Sequence, residues 1–538
     1  MTQLSALFVA CCRMLLALVT RHHDTALLSL AEQTTLHALD FYTQRTEQLR
    51  RAIAEAIRLQ SFYRISFIAL ICLACLLLYE SFVAHRLPIW SPIVAAPPLV
   101  FVMRQARNYQ NKALKLLRLS DYYAAGIARL THEWSSLDEG REFSDQDHFY
   151  ATDLDLFGHG SLFQLICSAR TQTGRAALAA WLKAPASREE VLARQGAVAE
   201  LRGRRDLCEA LAAAGAVKAS DCRPETFQTW VAEDSSQLPS WVRPVAVTLV
   251  FSIVAAPILF LCDQITLRTM WGAVGAMLLA ESTFAAIFLR RVRRVLESIG
   301  GPMVELSMVC EMLEIVNREH FDSMKLRALV ERTKDGAIHA RRLQRLMKLA
   351  TERDNPWFTW LSFLLLWGTQ FAVSIELWRH RHGKQLLEWL AALGEFEALV
   401  SLATYSYEHP LDTFPELSGE GRLIDAEGMG HPLIDEDACV RNDLHLGGDV
   451  RFLIVSGSNM SGKRTFLRAI GVNAVLAWMG APVRCTKLKL SSLAVGAAVR
   501  VQDSLIDGRS RFFAELQRLR RMIDTASEMP SYISPMRS

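Results

Sequence analysis

Residues 451–479 read RFLIVSGSNMSGKRTFLRAIGVNAVLAWM, and the fold of the C-terminal part turns on this stretch. Arg451 to Ser456 is a short apolar run of the buried-strand kind, and Phe466 to Met479 has helical length and texture. Between them stand Gly457, Ser458, Asn459, Met460, Ser461, Gly462, Lys463, Arg464 and Thr465. Strand, glycine loop, lysine and helix, in that order, form the context of a phosphate-binding loop. The two glycines let the backbone turn so that successive N–H groups face phosphate oxygens. The helix N-terminus adds a positive dipole end, and Lys463 adds a point charge. These nine residues are the candidate nucleotide site.

One position departs from the pattern. A hydroxyl is wanted after the lysine to hold Mg²⁺, and here the residue is Arg464. A guanidinium cannot ligate a cation. Thr465 follows, about 100° further round the helix, and is a poor substitute. No metal ligand is assigned and no catalytic residue is named. Arg464 offsetting phosphate charge, with little need of metal, is one reading; an impaired site is the other.

Outward from this stretch, Gly419, Gly421, Gly428, Gly430, Gly447 and Gly448 punctuate short β-type runs, which marks an α/β domain from about residue 419. Upstream the chain reads as helical. Four apolar segments are candidate membrane spans: Ile65–Ala84, Leu87–Met103 with Pro88, Pro92, Pro97 and Pro98, Val245–Cys262, and Met270–Leu289 interrupted by Glu281. Arg50, Arg51, Arg58 and Arg64 precede the first hairpin, and Arg104, Arg107, Lys112, Lys115 and Arg118 follow it. Arg290, Arg291, Arg293 and Arg294 follow the second. The turns hold only Arg86 and Arg268, so both hairpins place the chain ends in the cytoplasm. Trp357–Trp378 is apolar but carries Thr359, Ser362, Thr369, Gln370, Ser374 and Glu376, and reads as a core helix. The basic stretch 331–353 reads as a solvated helix face.

Composition agrees with a chain partly in membrane. Of 538 residues 51% are hydrophobic and 22% charged, and mean hydropathy is +0.15. Bulk disorder is excluded. The net charge of +4 gives no argument for nucleic acid. Eleven cysteines without a ladder of spacings suggest a reducing compartment. Cys72 and Cys75 have CxxC spacing inside an apolar run and read as buried small hydrophobes, as do Cys11 and Cys12.

Taken together, the motifs resemble the MutS family of DNA mismatch-repair ATPases, and more closely its shorter, membrane-associated bacterial relatives. Val455 to Lys463 is similar to the family's phosphate loop, including the Asn459–Met460 pair. His431–Pro432 followed by Arg441, Asn442 and Asp443 resembles the lead-in that approaches the nucleotide base, with Val440 and Asn442 on the base side. Gly508, Arg509, Ser510, Arg511 and Phe512 resemble the signature loop, whose serine, here Ser510, reaches the γ-phosphate bound by the partner subunit. Ser161–Phe163, Thr171, Gly174, Trp181–Leu182, Pro185 and Arg194–Gln195 resemble the helical core.

The resemblance implies ATP as cofactor, a homodimer formed through the ATPase domain, and DNA as inherited ligand class. The bilayer is the third partner. The implied place is the inner membrane of a bacterium, multi-pass, with soluble parts facing the cytoplasm. The fold class is mixed: a mainly α-helical, membrane-anchored core like the MutS core and lever, then an incomplete α/β P-loop domain. The expected divisions are 1–64 helical, 65–103 first hairpin, 104–240 core-like, 241–289 second hairpin, 290–418 core and lever-like, and 419–538 ATPase.

Two departures go with it. The Phe-x-Glu mismatch-reading domain is not expected ahead of Asp153. After Pro530 the residues SYISPMRS give no strand ending in the acidic pair that holds Mg²⁺. Two rival readings remain: a catalytically dead, truncated paralogue, or a nucleotide-sensing membrane scaffold without DNA binding. A transporter with an ABC-like domain is disfavoured, because no LSGGQ-like stretch is present.

Overall fold

The computed structural model describes residues 2–498 except 89, 146, 216–224, 233–237, 240, 356–357, 420, 451, 459–460 and 492, together with 520, 524 and 531–535; for 2–37 it describes backbone alone. The chain divides into two compact units. The first comprises Met1–Ser168, Leu178–Ala212 and Ala398–Ser538; the second comprises Ala169–Ala177 and Ala213–Glu397.

The first unit begins with two long helices, α1 (Thr2–Phe82) and α2 (Ala96–Leu130). They run antiparallel: Tyr42 meets Tyr123 with ring centroids 5.3 Å apart, while further along Tyr63 stacks on Tyr109 at 5.5 Å. Tyr42, Leu49, Leu119 and Tyr123 are buried together, an apolar stripe at helical spacing. Arg129 and Glu408 close this end with a buried ion pair, Nη2 to Oε1 2.6 Å. Beyond Phe62 the apolar side chains of α1, among them Ile65, Ile68, Leu76 and Phe82, are exposed.

The expected second span is not a helix of its own. Residues 91–95 form a 3₁₀ turn, and α2 restarts at Ala96 with proline in its first turn. Pro88 and Pro92 lack the N–H a continuous helix needs, whereas Pro97 and Pro98 suit a helix start. Ser81 caps the tip: its hydroxyl bonds Pro88 O at 2.6 Å and lies 2.8 Å from Ser91 Oγ. Among the described residues three helices are long and apolar enough to cross a membrane: the Ala38–Phe82 part of α1, α8 (Val242–Leu261) and α9 (Leu267–Ser298). Cys72 and Cys75 are exposed rather than buried, since this part of α1 turns most of its surface outward.

Short helices follow: α3 (Leu162–Ile166), α4 (Gln172–Lys183), α5 (Arg188–Arg202), α6 (Arg205–Ala213) and α7 (Glu225–Ala232). Ser161 and Ser187 are N-caps, accepting from the N–H of Gln164 and of Glu190. Residues 161–182 are not one continuous helix. The break falls at 167–171, where the Arg170 and Thr171 N–H groups turn to Glu397 Oε1 at 2.9 and 3.1 Å.

The second unit holds α8 and α9, then α10 (Gly300–Arg318), α11 (Met324–Thr333), α12 (Gly336–Thr351) and α13 (Thr359–Leu364). The long α14 (Trp367–Glu408) follows. Ala372, Val373, Ile375 and Trp378 of α14 are buried, but the expected Trp357–Trp378 core helix is not one element: it breaks between Leu364 and Trp367, and Trp360, Leu361 and Phe363 of α13 are exposed.

The C-terminal part is a small mixed α/β assembly. Its strands are β1 (Glu416–Ser418), β2 (Ile424–Met429), β3 (Asn442–Leu446), β4 (Lys487–Ser491), β5 (Ala494–Ala498) and β6 (Ser531–Pro535), with α15 (Lys463–Met479) after β3. One sheet has the order β1-β4-β2-β3, in which only β1 and β4 are parallel. A separate pair joins β5 and β6 in parallel. A strand therefore does follow Pro530, and it reaches Pro535 without an acidic residue.

A glycine loop at the start of a buried helix

Gly462 sits at φ +80° and forms the N-cap of α15. This left-handed backbone suits glycine, and it turns the chain from the loop into the helix. The Phe466 N–H donates to Gly462 O at 2.9 Å. The first N–H groups of any helix have no partner within it, so those of Lys463, Arg464 and Thr465 point back toward the loop. Lys463 donates its ammonium to the Gly457 carbonyl, closing the loop on itself. Ser461 N donates to Ser458 O at 3.3 Å. Arg464 and Thr465 are both exposed on the first turn. Among the described residues no ion pair engages Arg464.

The segment before the loop differs from expectation. Residues 452–458 are irregular rather than a buried strand. Phe452 is 77% exposed and Ile454 79%. Residues 452–456 join neither sheet, one ordered β1-β4-β2-β3 and the other pairing β5 with β6. Without ladder partners, the backbone of 452–456 turns to water instead.

From Ala469 onward α15 is buried on all sides. Gly480 ends it at φ +82°, its N–H on Ala477 O and that of Ala481 on Leu476 O at 3.0 Å. Polar groups tie the helix into its surroundings. Arg468 Nη1 meets Asp155 Oδ2 at 2.8 Å. Asn473 donates through Nδ2 to Gly430 O at 2.8 Å and accepts from Arg484 N at 2.8 Å.

Arg484 is the hub. Its guanidinium lies 3.0 Å from Asp412 Oδ1 and 2.9 Å from Glu436 Oε2. Burial opposes its charge, but Asp412, Tyr405 and Glu436 offset that and hold it above its usual range. Tyr405 OH donates to Asp412 Oδ2 at 2.5 Å. Burial, then Arg468 and Arg484, push the His431 imidazole down to about 4, so it is neutral at pH 7. The segment around His431 thus reaches α15 through Gly430, Asn473 and Arg484. Val440 is exposed, and Asn442 bonds Val440 O at 3.2 Å. Among the described residues no hydrogen bond joins either to the loop. Arg441 pairs with Glu436 and donates to Gly428 O at 3.0 Å, bracing this turn. Asn459, Met460 and Ser510 lie outside the described residues.

Sequence reading missed Asn473, Arg484 and Arg468. The available signal was an Asn and an Arg set among apolar neighbours, where a polar group is buried only with a partner.

The loop and helix start lie on a small α/β assembly, joined to a largely helical chain. Residues 453–533 match MutS domain V. A stretch of 150 residues, 27% of this chain, is 33% identical to the DNA mismatch repair protein MutS 1 of Haloarcula marismortui, covering 16% of it. MutS 1 of Halobacterium salinarum is 37% identical over 140 residues, 25% of this chain and 16% of that protein. The mismatch repair protein MSH3 of Phaeosphaeria nodorum is 32% identical over 151 residues, 27% and 13%. The C-terminal part of the chain is thus similar to MutS domain V. The match spans about a sixth or less of each of these relatives.

Proposed function

We propose that this chain is a membrane-anchored, MutS-like ATP-binding protein. Its α15 N-terminus and Lys463 would hold the phosphates, with nucleotide state passed to the helical parts. The observation that carries this is the Gly462–Lys463 turn: a left-handed glycine, a free helix start and a lysine at the loop carbonyl. The donor set fits a polyphosphate. It does not fit a resident Mg²⁺, because Arg464 brings a second positive charge where a hydroxyl ligand belongs. No step through a metal is derived. ATP supplies the anionic ligand, Lys463 and the α15 N–H groups bind it, and Arg464 balances charge. Hydrolysis is reduced on this reading. DNA as a ligand and pairing of two copies through the ATPase domain, Ser510 completing the neighbour's site, are carried by the family alone. Anchoring rests on α1, α8 and α9.

The test is equilibrium binding of a fluorescent ATP analogue to detergent-purified protein, with Mg²⁺ or with chelator. Competable binding, equal in both, is expected, and Lys463→Ala abolishes it. Arg464→Ser introduces Mg²⁺ dependence. Binding by Lys463→Ala at unchanged affinity sinks the assigned site. No binding by folded wild-type protein would favour the reading as a non-binding paralogue.

A further inference from the structure

We propose that the α1–α2 pair carries a built-in binding surface for anionic phospholipid headgroups, formed by Arg58, Arg64, Arg104, Arg107 and Lys112. This rests on the reading of the apolar end of the pair as bilayer-embedded.

The Tyr63–Tyr109 stack, centroids 5.5 Å apart and planes 13° apart, fixes the register of the two helices. At about 1.5 Å per residue, Arg64 and Arg107 lie within about 3 Å of that stack along the axis. Lys112 lies about 4.5 Å away, and Arg58 and Arg104 about 7.5 Å. Arg58 and Arg104 lie on opposite sides of the stack, so the two antiparallel helices place five cations in a band about 15 Å deep, and all five are exposed. Among the described residues none of the five forms an ion pair. From Ala56 to Ser120 the only acid is Glu80, at the far end of the pair near Arg86. The next acids on these helices are Glu55, three residues before Arg58, and Asp121; among the described residues neither pairs with the band.

What adjoins the band decides its partner. On the tip side exposed apolar side chains adjoin it: Ile65, Ile68, Val100, Phe101 and Met103. Ile65 to Phe82 rises about 26 Å, close to the ~30 Å of a hydrocarbon core. The tyrosines stand where amphipathic rings favour the headgroup level. Lys and Arg there can run their stems along apolar surface and lift their heads to phosphates. A nucleic-acid duplex would share the phosphate chemistry, but not the adjoining apolar wall.

The experiment is electron spin resonance on full-length protein in phosphatidylcholine vesicles, with spin-labelled phosphatidylglycerol or phosphatidylcholine as probe. Wild type is expected to hold phosphatidylglycerol at least about threefold over phosphatidylcholine, a preference weakened by high salt. The fivefold Gln variant of these residues should bring the ratio to near one while keeping the motionally restricted phosphatidylcholine signal. A wild-type ratio of one with that signal present overturns the surface and leaves the membrane reading standing. A ratio unchanged in the variant also overturns it. No restricted signal, with protein that fails to float with vesicles, defeats the membrane reading and the surface with it. A lipid ratio of one with duplex DNA binding lost in the variant assigns the band to nucleic acid and overturns the proposal.

Discussion

Glu305 and Arg484 are both charged-type residues taken out of water, and they meet that cost in opposite ways. Arg484 keeps its charge because two carboxylates surround it. Removing one partner of a buried pair costs about 3–5 kcal/mol, since the other is left uncompensated. Arg484→Ala should lower stability by that order, and adding Asp412→Ala should return part of it. Denaturant titration of the single and double variants measures the coupling; strictly additive losses would dismiss Arg484 as a hub. Glu305 instead gives up its charge. Burial, then the Glu397 carboxylate, raises it to about 7 from an ordinary value near 4.5. The folded chain therefore binds more protons than the unfolded chain between those values. The stability from this group is full below about 4.5 and is lost as pH rises through about 7. Glu305→Gln should flatten the fall in thermal midpoint between pH 5 and 8; an equal fall in both proteins would contradict the assignment.

At the scale of elements, the loop and α15 were legible in sequence because glycine, lysine and a long apolar run each have local causes. The strand at 451–456 was not, because a strand is made by its neighbours rather than by its own apolar residues. Phe452 to Ile454 have strand composition and no ladder. The second apolar segment, Leu87–Met103, is not one continuous helix for a related reason: hydropathy sees its side chains and overlooks which prolines can sit in a helix. The Arg484 network was hidden because Asp412, Glu436 and Asn473 are far apart in sequence, and only tertiary contact pairs them. Amide hydrogen exchange puts this difference to the test. The amides of 452–456 should exchange near the unprotected rate, whereas those of Ala469–Met479 should be slowed by orders of magnitude. Strong protection at 452–456 would restore the sequence reading and place a strand partner there.

For the molecule as a whole, the question is whether apolar surface in each unit acts as an anchor independent of the other. The first unit presents the Ala38–Phe82 part of α1, and the second presents α8 and α9. The 20 residues of α8 rise about 30 Å, the thickness of a hydrocarbon core. Exposed Phe251, Leu259 and Leu261 on α8, and Leu279, Ile287 and Leu289 on α9, form surface that water would penalise. If both hairpins insert, the chain stays in the membrane pellet through an alkaline wash that strips peripheral proteins. A charge at a helix centre costs about 2.5–3.5 kcal/mol on insertion scales, so Ile71→Arg or Phe251→Arg alone should leave the chain in the pellet, held by the other unit. The two together should shift a measurable fraction to the supernatant. Release of wild type by the wash would refute insertion outright. Release by one substitution alone would mean that a single unit carries the anchor, and the apolar helices of the other would then need a protein partner rather than lipid.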